Sequence, residues 1–432
     1  MDPDNITRQR NFLFVSHESL SGDLAWKILN EGNNVKIFIG REQDKDVYDG
    51  FLEKVDDWRK YKDWADVIVF DDVGVGKEAD QLRMEGKLVV GGSEYTDKLE
   101  EDREFGQNQM KKFGMSVLPH WDFDDFNKAI EFIKNRPGRY VFKPSGNIPS
   151  DAKGILFLGK EENGKDLIEI LEQNKKTWAE KIKKFQLQKR AIGVEVAVGT
   201  FFNGEDFIYP ININFEHKRL FPGDIGPYTG EMGTLLYHSN NSKIFDQTLL
   251  KMKDEFKKSG YVGYLDINCI VNSKGIHPLE FTSRFGYPTI SIQMEGITDK
   301  WGDFLYSLAN KEKVELKTKK GFQIGVVVVV PPFPYDDKQE SAIYKDLSIS
   351  FKKNNHDGVH LGDVKRDING IWSVAGDSGY VLIVTGSGDT VERARKHAYS
   401  RLNNILLQNM YYRTDIGIKW LRESDLLLTW GY

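Results

Sequence analysis

The sequence predicts a multidomain protein that combines α/β and α+β architecture. Strand and helix signals alternate regularly over residues 11–95, which is typical of a doubly wound parallel sheet. Less regular segments follow as far as residue 320, and a last group of strands precedes one long helical segment. A chain of 432 residues also exceeds the usual size of one hydrophobic core. We therefore expect an N-terminal doubly wound parallel-sheet domain, a larger central domain and a C-terminal mixed-sheet domain.

The N-terminal prediction depends on four short apolar runs rich in β-branched and aromatic residues. These runs are NFLFVS, VKIFIG, ADVIVFDD and KLVVGGS, and the first is followed by the helical pattern DLAWKILNEG, which ends at Gly32. Strands that are apolar along most of their length are buried on both faces, as in a parallel sheet covered by helices. We place this domain at residues 1–96.

The central domain is predicted to span residues 97–320 and to contain a small subdomain at about 122–192. A helix from Asp97 to Phe113, ended by Gly114, begins the domain. The subdomain contains a helix at FNKAIEFIK, strands at RYVFKPS and GILFLG, a helix at KDLIEILEQN, and a strand pair at FQLQKR and GVEVAVGTFFNG. This α+β succession suggests a lid over the rest of the domain.

Two further strands, FIYPININF and YLDINCIV, belong to the body of the central domain. A turn at 272–275 joins the second of them to HPLEFTS, which predicts a β-hairpin. A charged linker near 311–322 then leads to the C-terminal domain, which we place at residues 321–432. Its predicted elements are strands at GVVVVV, WSVAG and YVLIVTG and a long helix over residues 390–409.

Composition excludes several classes of partner. A net charge of -5 gives no general attraction to nucleic acid or to anionic membranes. The single cysteine, Cys269, excludes an intrachain disulfide framework and a cysteine-built metal site. The N-terminal segment lacks the apolar stretch of a signal peptide, and no apolar run approaches the roughly 18 to 20 residues that span a bilayer. We expect a cytoplasmic protein with small-molecule partners, without nucleic acid or membrane, as a monomer or small homo-oligomer.

The segment at residues 216–233 is polar and rich in glycine. It reads EHKRLFPGDIGPYTGEMG, with a basic pair at its start and two prolines that stiffen it. Ordered loops of this length usually bind a ligand. The alternative is a compact surface loop without a ligand.

The predicted hairpin carries two carboxylates, Asp266 and Glu280, on neighbouring strands. Antiparallel pairing can place both on the same face of the sheet. Oxygen ligands of this kind suit Mg²⁺, which usually also bridges to the phosphates of a substrate. An ordinary hairpin with exposed acids is the alternative.

Three more residues are candidates for a nucleotide site. Lys143 stands at the end of a predicted strand and precedes a glycine- and serine-containing turn, where it could bind phosphate. Glu195 could accept hydrogen bonds from ribose hydroxyls, and the backbone around Gln188 and Arg190 could face an adenine. The alternatives are a solvated lysine and an ordinary strand-turn-strand. The sequence has no GxxxxGK[ST], GxSxG or HExxH motif, so hydrolase chemistry has no support.

The combination resembles the ATP-grasp superfamily and, within it, the phosphoribosylamine–glycine ligase family. The most specific matches are the segment 216–233, LEFTSRFGYP at 279–288, and the C-terminal YRTDIG that ends at Gly417. Supporting matches include the DGVHLGD segment that begins at Asp357. The resemblance implies an ATP-grasp body with a mobile lid, with ATP bound between the two.

The resemblance also implies residue roles on the nucleotide side. The cofactors would be ATP and Mg²⁺ (or Mn²⁺). The nucleotide-binding residues would be Arg103, Lys143, Lys153, Gln188, Arg190 and Glu195. The metal would be held by Glu280, with Asp266 and Thr282 beside it.

The implied reaction is ATP-dependent amide formation through an acyl phosphate. In the family, glycine supplies the carboxylate and phosphoribosylamine the amine, in purine biosynthesis. Arg284, Lys218 and Asp224 would be the catalytic residues. The substrate contacts would be Ser16, Gly22, Gly226, Thr229, Gly230 and Gly233.

Several residues depart from the family pattern around the amine and carboxylate substrates. The family's glycine-rich first turn reads Ser16-His-Glu-Ser-Leu-Ser-Gly22 here, Thr282 replaces an asparagine, and Glu231 replaces a glycine. Tyr228, Tyr287 and Thr289 are further replacements. Three hypotheses therefore remain: the family reaction, the same ligation with another amino acid or amine, and a nucleotide-binding protein without turnover.

Overall fold

The computed structural model describes residues 8–145 and 155–432. Lys153 and most of the turn that follows Lys143 lie outside these residues. The described strands form sheets of five, eight, two, four and four strands. None of the described helices has the length and apolar character that a membrane span requires.

The helices are distributed over the whole chain, and each is named here in chain order. They are α1 (Gly22–Asn30), α2 (Gly76–Met84), α3 (Glu94–Glu101), α4 (Arg103–Lys112), α5 (Phe126–Asn135), α6 (Lys165–Lys181), α7 (Lys243–Gln247), α8 (Lys253–Lys258), α9 (Thr289–Gly296), α10 (Trp301–Ala309), α11 (Lys338–Tyr344), α12 (Val391–Leu402) and α13 (Ile418–Thr429). Short 3₁₀ turns occur at Glu42–Asp44, Trp58–Tyr61 and Leu249–Met252.

The strands are named in the same way. They are β1 (Asn11–Ser16), β2 (Asn34–Ile39), β3 (Glu53–Lys54), β4 (Val67–Phe70), β5 (Val89–Val90), β6 (His120–Phe123), β7 (Tyr140–Ser145), β8 (Phe157–Leu158), β9 (Lys184–Lys189), β10 (Val194–Phe202), β11 (Ile211–Glu216), β12 (Arg219–Phe221), β13 (Ile225–Tyr228), β14 (Gly233–Ser239), β15 (Gly263–Asn272), β16 (Gly275–Thr282), β17 (Phe322–Val329), β18 (Ser348–Phe351), β19 (Val359–Leu361), β20 (Val364–Arg366), β21 (Trp372–Val374), β22 (Tyr380–Gly388) and β23 (Ile405–Leu406).

The N-terminal sheet has the order β3-β2-β1-β4-β5, and its pairings are all parallel. The chain leaves the central strand β1 in one direction to β2 and β3, and in the other to β4 and β5. The predicted doubly wound parallel sheet is thus confirmed. All four residues of β4 are buried, as the continuous apolar run indicated.

An eight-stranded sheet forms the body, in the order β16-β15-β10-β11-β14-β17-β22-β19. Its pairings are antiparallel, and the predicted hairpin is its edge pair β15–β16. The sheet continues from β14 to β17 across residue 320, the predicted boundary between the central and C-terminal domains. One apolar core runs from the N-terminal sheet through this body into the C-terminal region.

The lid is a separate four-stranded sheet in the order β6-β9-β7-β8, packed against α5 and α6. Its core is built by aromatic residues, including Phe126, Phe142 and Phe185. The prediction that FQLQKR and GVEVAVGTFFNG pair with each other is wrong: β9 pairs with β6 and β7, and β10 joins the eight-stranded sheet. The reason is that Phe185 and Leu187 fill the lid core, whereas the apolar residues of β10 fill the main core.

Two predicted helices have different bounds. The helix expected over 97–113 is two helices, because Asp102 has an extended backbone and its side chain accepts a hydrogen bond from the Phe105 N–H at 3.0 Å, which begins α4. The helix expected over 390–409 ends at Leu402. Beyond it, Ile405 pairs with Phe351 in a sheet of order β20-β21-β18-β23.

Candidate active site

Two adjoining cavities lie along the eight-stranded sheet. The larger, of about 1390 Å³, opens between the lid strands β7, β8 and β9 and the body strands β10 and β16. The smaller, of about 480 Å³, lies between the body, the N-terminal domain and the C-terminal region. The residues that border both cavities are Glu216, Lys218, Gly230, Glu280 and Phe333. A ligand group at this junction can therefore reach from one cavity into the other.

One side of the larger cavity presents two cations, one from the lid and one from helix α4, which packs on the body. Lys143, on β7, and Arg103, the first residue of α4, both line it. Burial, together with the nearby Arg103 guanidinium, lowers the pKa of Lys143 to about 8. Neither side chain is within ion-pair distance of a carboxylate in the described part of the chain. Both are thus available to an anionic ligand.

The opposite wall is built around Lys218. Its Nζ lies 3.2 Å from Glu280, 3.4 Å from Glu195 and 3.4 Å from Glu216, so one ammonium holds three carboxylates together. The Lys218 ammonium lowers the pKa of Glu280 to about 2. Glu280 therefore stays ionised at neutral pH, and the three carboxylates form an acidic face opposite Lys143 and Arg103.

The register of the β15–β16 hairpin puts the predicted metal residues on one face. Asp266 is opposite Thr282 and Asn268 is opposite Glu280, and residues two apart on a strand point to the same side. Glu280 borders both cavities, whereas Asp266 and Thr282 border only the smaller one. Within residues 8–145 and 155–432, no set of three acidic, histidine or cysteine side chains has the spacing of a metal site.

Oxygen atoms beside Glu280 nevertheless fit a hard cation. The Asn268 amide donates to Glu216 at 3.0 Å, while its own Oδ1 is buried without a partner. Mg²⁺ commonly takes only one or two protein ligands and completes its shell with phosphate and water. The donor set of Glu280, Glu216 and Asn268 is of that kind.

The far end of the larger cavity carries the predicted adenine residues. Gln188 is buried on β9, and its Nε2 has no hydrogen-bond partner among the described residues. Arg190 follows β9 and donates to the Gly159 carbonyl at 2.8 Å. Apolar side chains line the same end, namely Leu118, Val141, Leu158, Ile192 and Ile270. A flat apolar ring with polar edges suits this environment.

Arg284 lies in the smaller cavity between two carboxylates. Its Nε is 3.1 Å from Glu100 and 3.7 Å from Asp72. Burial alone would lower the pKa of Arg284, but Glu100 and Asp72 outweigh burial and raise it. The guanidinium is thus fixed in place and always charged.

Asp224 forms an ion pair with Arg413 of the C-terminal segment. Arg413, whose side chain is fully buried, donates to Asp224 at 2.9 Å and to Asp415 at 2.7 Å. Asp224 borders the larger cavity but is half exposed and already paired. Its contacts are those of a clamp between the 216–233 segment and the C-terminal region.

The 216–233 segment is a short hairpin, β12–β13, followed by a turn into β14. Thr229 and Gly230 line the larger cavity, and the Thr229 hydroxyl donates to the Lys218 carbonyl at 3.0 Å. Gly233 has a positive φ of 144°, and a Cβ there would lie 2.5 Å from the Gly325 carbonyl. Gly226 also has a positive φ, at the turn-facing end of β13. The glycines therefore permit the backbone path that brings Thr229 and Gly230 to the cavity.

Ser16 and Gly22 do not line either cavity. Ser16 is buried and its Oγ accepts from the Leu20 N–H at 2.9 Å, while Gly22 packs against the Tyr48 ring. The N–H of Ser21, at the start of α1, donates to Asp71 at 3.0 Å. A protein carboxylate thus already occupies the anion position at this helix start.

Other residues of the smaller cavity were not singled out from the sequence as site residues. They include Ser19, Arg41, Asp44, Asp363, Ser378 and Tyr380. Asp363 accepts hydrogen bonds from Ser19 and Ser378. Two sequence signals lie on this wall: the DGVHLGD segment, which contains Asp363, and the turn from Ser16 to Gly22, which contains Ser19.

Comparison with known proteins identifies relatives of one family. Residues 101–290 match the model of the phosphoribosylglycinamide synthetase ATP-grasp (A) domain, and residues 323–419 match that of its C domain. A phosphoribosylamine–glycine ligase of Streptococcus pneumoniae is 25% identical over 418 residues, covering 92% of this chain and 97% of its own. One of Listeria monocytogenes is 25% identical over 430 residues, covering 95% and 99%.

Solved structures agree on the fold. The crystal structure of phosphoribosylamine–glycine ligase from Thermotoga maritima superposes with a TM-score of 0.70 at 20% identity, covering 94% of this chain and all of that one. The biotin carboxylase of Campylobacter jejuni, solved with an ATP analogue, gives 0.62 at 13% identity and covers 98% of both chains. The fold of this chain is thus shared with that ligase and with that biotin carboxylase.

Proposed function

This chain belongs to the phosphoribosylglycinamide synthetase family of ATP-grasp enzymes, and from that premise we propose that it is an ATP-dependent ligase joining a carboxylate to an amine. The reaction of its relatives is the formation of an amide from glycine and phosphoribosylamine. One observation carries the proposal: Lys143 and Arg103, which form no ion pair with any carboxylate among the described residues, face an anionic wall around Glu280 across one large cavity. That pairing suits a triphosphate with a divalent cation.

In this proposal ATP lies in the larger cavity. Its phosphates contact Lys143 and Arg103, with Lys153 as a further candidate outside the described residues. Its ribose contacts Glu195, and its adenine lies near Gln188 and Arg190. Mg²⁺ or Mn²⁺ would be held by Glu280 with Glu216 or Asn268, where it would neutralise charge on the phosphates.

The chemistry then requires no nucleophilic side chain. A carboxylate oxygen of the first substrate attacks the γ-phosphorus, ADP leaves, and an acyl phosphate forms at the junction of the cavities. The amine attacks the carbonyl carbon and loses a proton. The bond between that carbon and the bridging oxygen then breaks, and phosphate leaves with the oxygen. Lys143, Arg103 and Lys218 would stabilise the transferred charge, and Arg284 would orient the carboxylate.

A second candidate keeps the ligation but changes the amine. The smaller cavity is lined by nine acidic and three basic residues, and each of the three basic side chains is already paired with a carboxylate. Asp71 also fills the anion position at the start of α1. Such walls favour a cationic or hydroxyl-bearing amine over a phosphorylated one.

The test is a substrate panel with the pure protein. ATP and Mg²⁺ are incubated with individual amino acids, each with and without phosphoribosylamine or other primary amines, and ADP and phosphate are measured. ADP that depends on both glycine and phosphoribosylamine supports the family reaction, and ADP with another pair supports the second candidate. No ADP with any pair contradicts both and favours a nucleotide-binding protein without turnover.

We also propose a domain organisation and a cellular location for this protein. We place the domain divisions at 1–96, 97–320 with its lid at about 122–192, and 321–432. The protein would act in the cytoplasm on small molecules, as a monomer or small homo-oligomer.

A further inference from the structure

A third cavity, of about 160 Å³, lies where helix α1 of the N-terminal domain meets the C-terminal region. Asp23 and Trp26 line it from α1, where residues three apart share one face of the helix. All its other lining residues in the described part of the chain come from the segment 349–382. Of its lining residues, only Asp23 and Leu361 also border the smaller of the two cavities described above. The third cavity is therefore a separate site.

The wall of this cavity, here called the aromatic cavity, is mostly apolar. Trp26, Phe351 and Trp372 line it together with five aliphatic side chains. His356 also lines it and is exposed, and its ring centroid lies 4.2 Å from that of Phe351. Voids much larger than one water molecule are few in protein interiors, and a cavity of about 150 Å³ can hold a molecule of the size of benzene. The aromatic cavity thus has room for a small ring or a branched alkyl group.

A carboxylate provides the charge in this wall. Among the described residues, no lysine or arginine lines the aromatic cavity. Asp23 accepts the Leu361 N–H at 3.0 Å through Oδ1, and His360 Nδ1 lies 2.8 Å from its Oδ2. These two bonds fix the carboxylate in place, and each of its oxygens can accept a further hydrogen bond. A ligand that donates a hydrogen bond can therefore pair with Asp23, whereas an anionic ligand would be repelled.

The ring faces favour the same kind of ligand. The faces of tryptophan and phenylalanine rings carry partial negative charge and attract cations, tryptophan most strongly. The Arg366 guanidinium, which does not line the cavity, lies 5.3 Å from the centre of the Trp372 ring and makes a contact of this type. The rings and the carboxylate together indicate a ligand that has an apolar body and a positively charged end.

We propose that the aromatic cavity binds a small apolar primary amine, such as an arylalkyl or branched alkyl amine. Its ammonium group pairs with Asp23, and its apolar body lies among Trp26, Phe351 and Trp372. The inference goes beyond the ligase function and does not depend on it, because the site uses none of the residues assigned to ATP or to the metal. Through Asp23 and Leu361, an amine bound here contacts residues that also form the wall of the smaller cavity.

Calorimetric titration tests the site with simple amines as probes. Benzylamine and isopentylamine are each titrated at neutral pH beside the alcohol of the same shape, and benzoate serves as the anionic counterpart of benzylamine. For ligands with about six to eight non-hydrogen atoms we expect millimolar affinity or tighter, and at least one amine should bind about tenfold or more tightly than its alcohol. No saturable binding by either amine, equal affinity for amine and alcohol in both pairs, or binding of benzoate as tight as that of benzylamine would overturn the proposal.

Three variants and two controls assign the binding to the named residues. Asp23→Asn, which keeps an acceptor for the Leu361 N–H, and Trp372→Leu should each weaken amine binding about fivefold or more. Val359→Phe adds a ring to the wall of the cavity and should abolish binding. Trp64→Leu and Asp303→Asn make the same changes at a tryptophan and at a first-turn helix acid outside the cavity, and should leave binding unchanged.

Thermal unfolding of each variant verifies that it is folded. Unchanged binding in Asp23→Asn or in Val359→Phe, or losses in the two controls as large as those in the cavity variants, would contradict the assignment.

Hydrogen–deuterium exchange locates the bound amine. Amides of β19 and of the first turn of α1 should exchange more slowly in its presence, while those of the lid strand β7 should not change. Unchanged exchange at β19 would mean that the amine binds elsewhere and would overturn the proposal. These measurements require no turnover, so a protein that binds the amine but forms no ADP would keep this site and lose the ligase function, and ADP formation without amine binding would do the reverse.

Discussion

At the scale of single residues, Lys218 is the centre of the site. It is the only residue whose ammonium contacts three cavity carboxylates, among residues 8–145 and 155–432, and it stands where the two cavities meet. One of those carboxylates, Glu280, is also half exposed to the cavity space. Disrupting the ion pair between Lys218 and Glu280 should therefore lower the rate of turnover more than it lowers the stability of the fold.

Replacement of Glu280 tests that balance. Glu280→Gln removes a carboxylate that faces the cavity but leaves Glu195 and Glu216 beside Lys218. We expect ADP formation to fall at least about a hundredfold, because a proposed metal ligand and one of the three carboxylates of the anionic wall are lost. The thermal midpoint should change little. Glu131→Gln, an exposed site on the lid helix α5, is the control, and retained activity in Glu280→Gln would remove the metal assignment.

The pKa of Lys143 predicts a pH dependence of nucleotide binding. Because burial and Arg103 lower this pKa to about 8, the ammonium is present below pH 8 and is lost as the pH rises through it. Nucleotide affinity, measured with the β,γ-imido analogue, should weaken above about pH 8. Lys143→Arg, whose guanidinium stays charged, should flatten this decline. An identical profile in both proteins would exclude Lys143 from phosphate binding.

At the scale of elements, the break between α3 and α4 positions a site residue. Asp102 ends one helix and begins the next, so Arg103 becomes the first residue of α4 and faces the larger cavity. A continuous helix, as the sequence pattern predicted, would give Arg103 a different direction.

Asp102→Ala should therefore have two effects. Loss of the helix cap should lower the free energy of unfolding by about 1 kcal/mol, measured by chemical denaturation. Nucleotide affinity should also weaken, because Arg103 is less well fixed. Asp125→Ala removes the equivalent cap of α5 in the lid. It should lower the free energy of unfolding similarly but weaken nucleotide affinity less. Equal losses of affinity in both variants would contradict this explanation.

The local sequence pattern predicted the individual strands and turns better than it predicted which strands pair and which side chains meet. The apolar runs of the N-terminal domain predicted its parallel strands, and the 272–275 turn predicted the β15–β16 hairpin, because both signals are local. The pairing of β9 and β10 could not be predicted, since it depends on which core each strand fills. The ion cluster of Lys218 was also missed, because Glu195, Glu216 and Glu280 come from three different strands. The family resemblance predicted substrate contacts for Ser16 and Gly22. In the structure Ser16 bonds to the Leu20 N–H and Gly22 packs against Tyr48, so neither lines a cavity.

At the scale of the whole molecule, the C-terminal region is tied to the site by Arg413. Its buried guanidinium joins Asp415 of its own segment to Asp224 of the 216–233 segment. The eight-stranded sheet, which continues through β17 and β22, makes a second connection. The site is thus assembled from the N-terminal domain, the body, the lid and the C-terminal region together.

Two substitutions distinguish the halves of this clamp. Arg413→Met removes the buried cation and leaves Asp415 unpaired, so we expect a loss of about 3 kcal/mol in the free energy of unfolding. Asp224→Asn removes a half-exposed partner and should cost less than about 1 kcal/mol. Chemical denaturation gives both values. A loss in Asp224→Asn as large as that in Arg413→Met would mean that Asp224 carries the clamp.

The most direct test of the proposed reaction follows an oxygen atom. The carboxylate substrate found in the panel is labelled with ¹⁸O in both carboxyl oxygens, and the phosphate released during turnover is analysed by mass spectrometry. Formation of an acyl phosphate predicts one ¹⁸O in each phosphate released, because the attacking oxygen leaves with phosphorus. Phosphate without the label would contradict the proposed ligase mechanism.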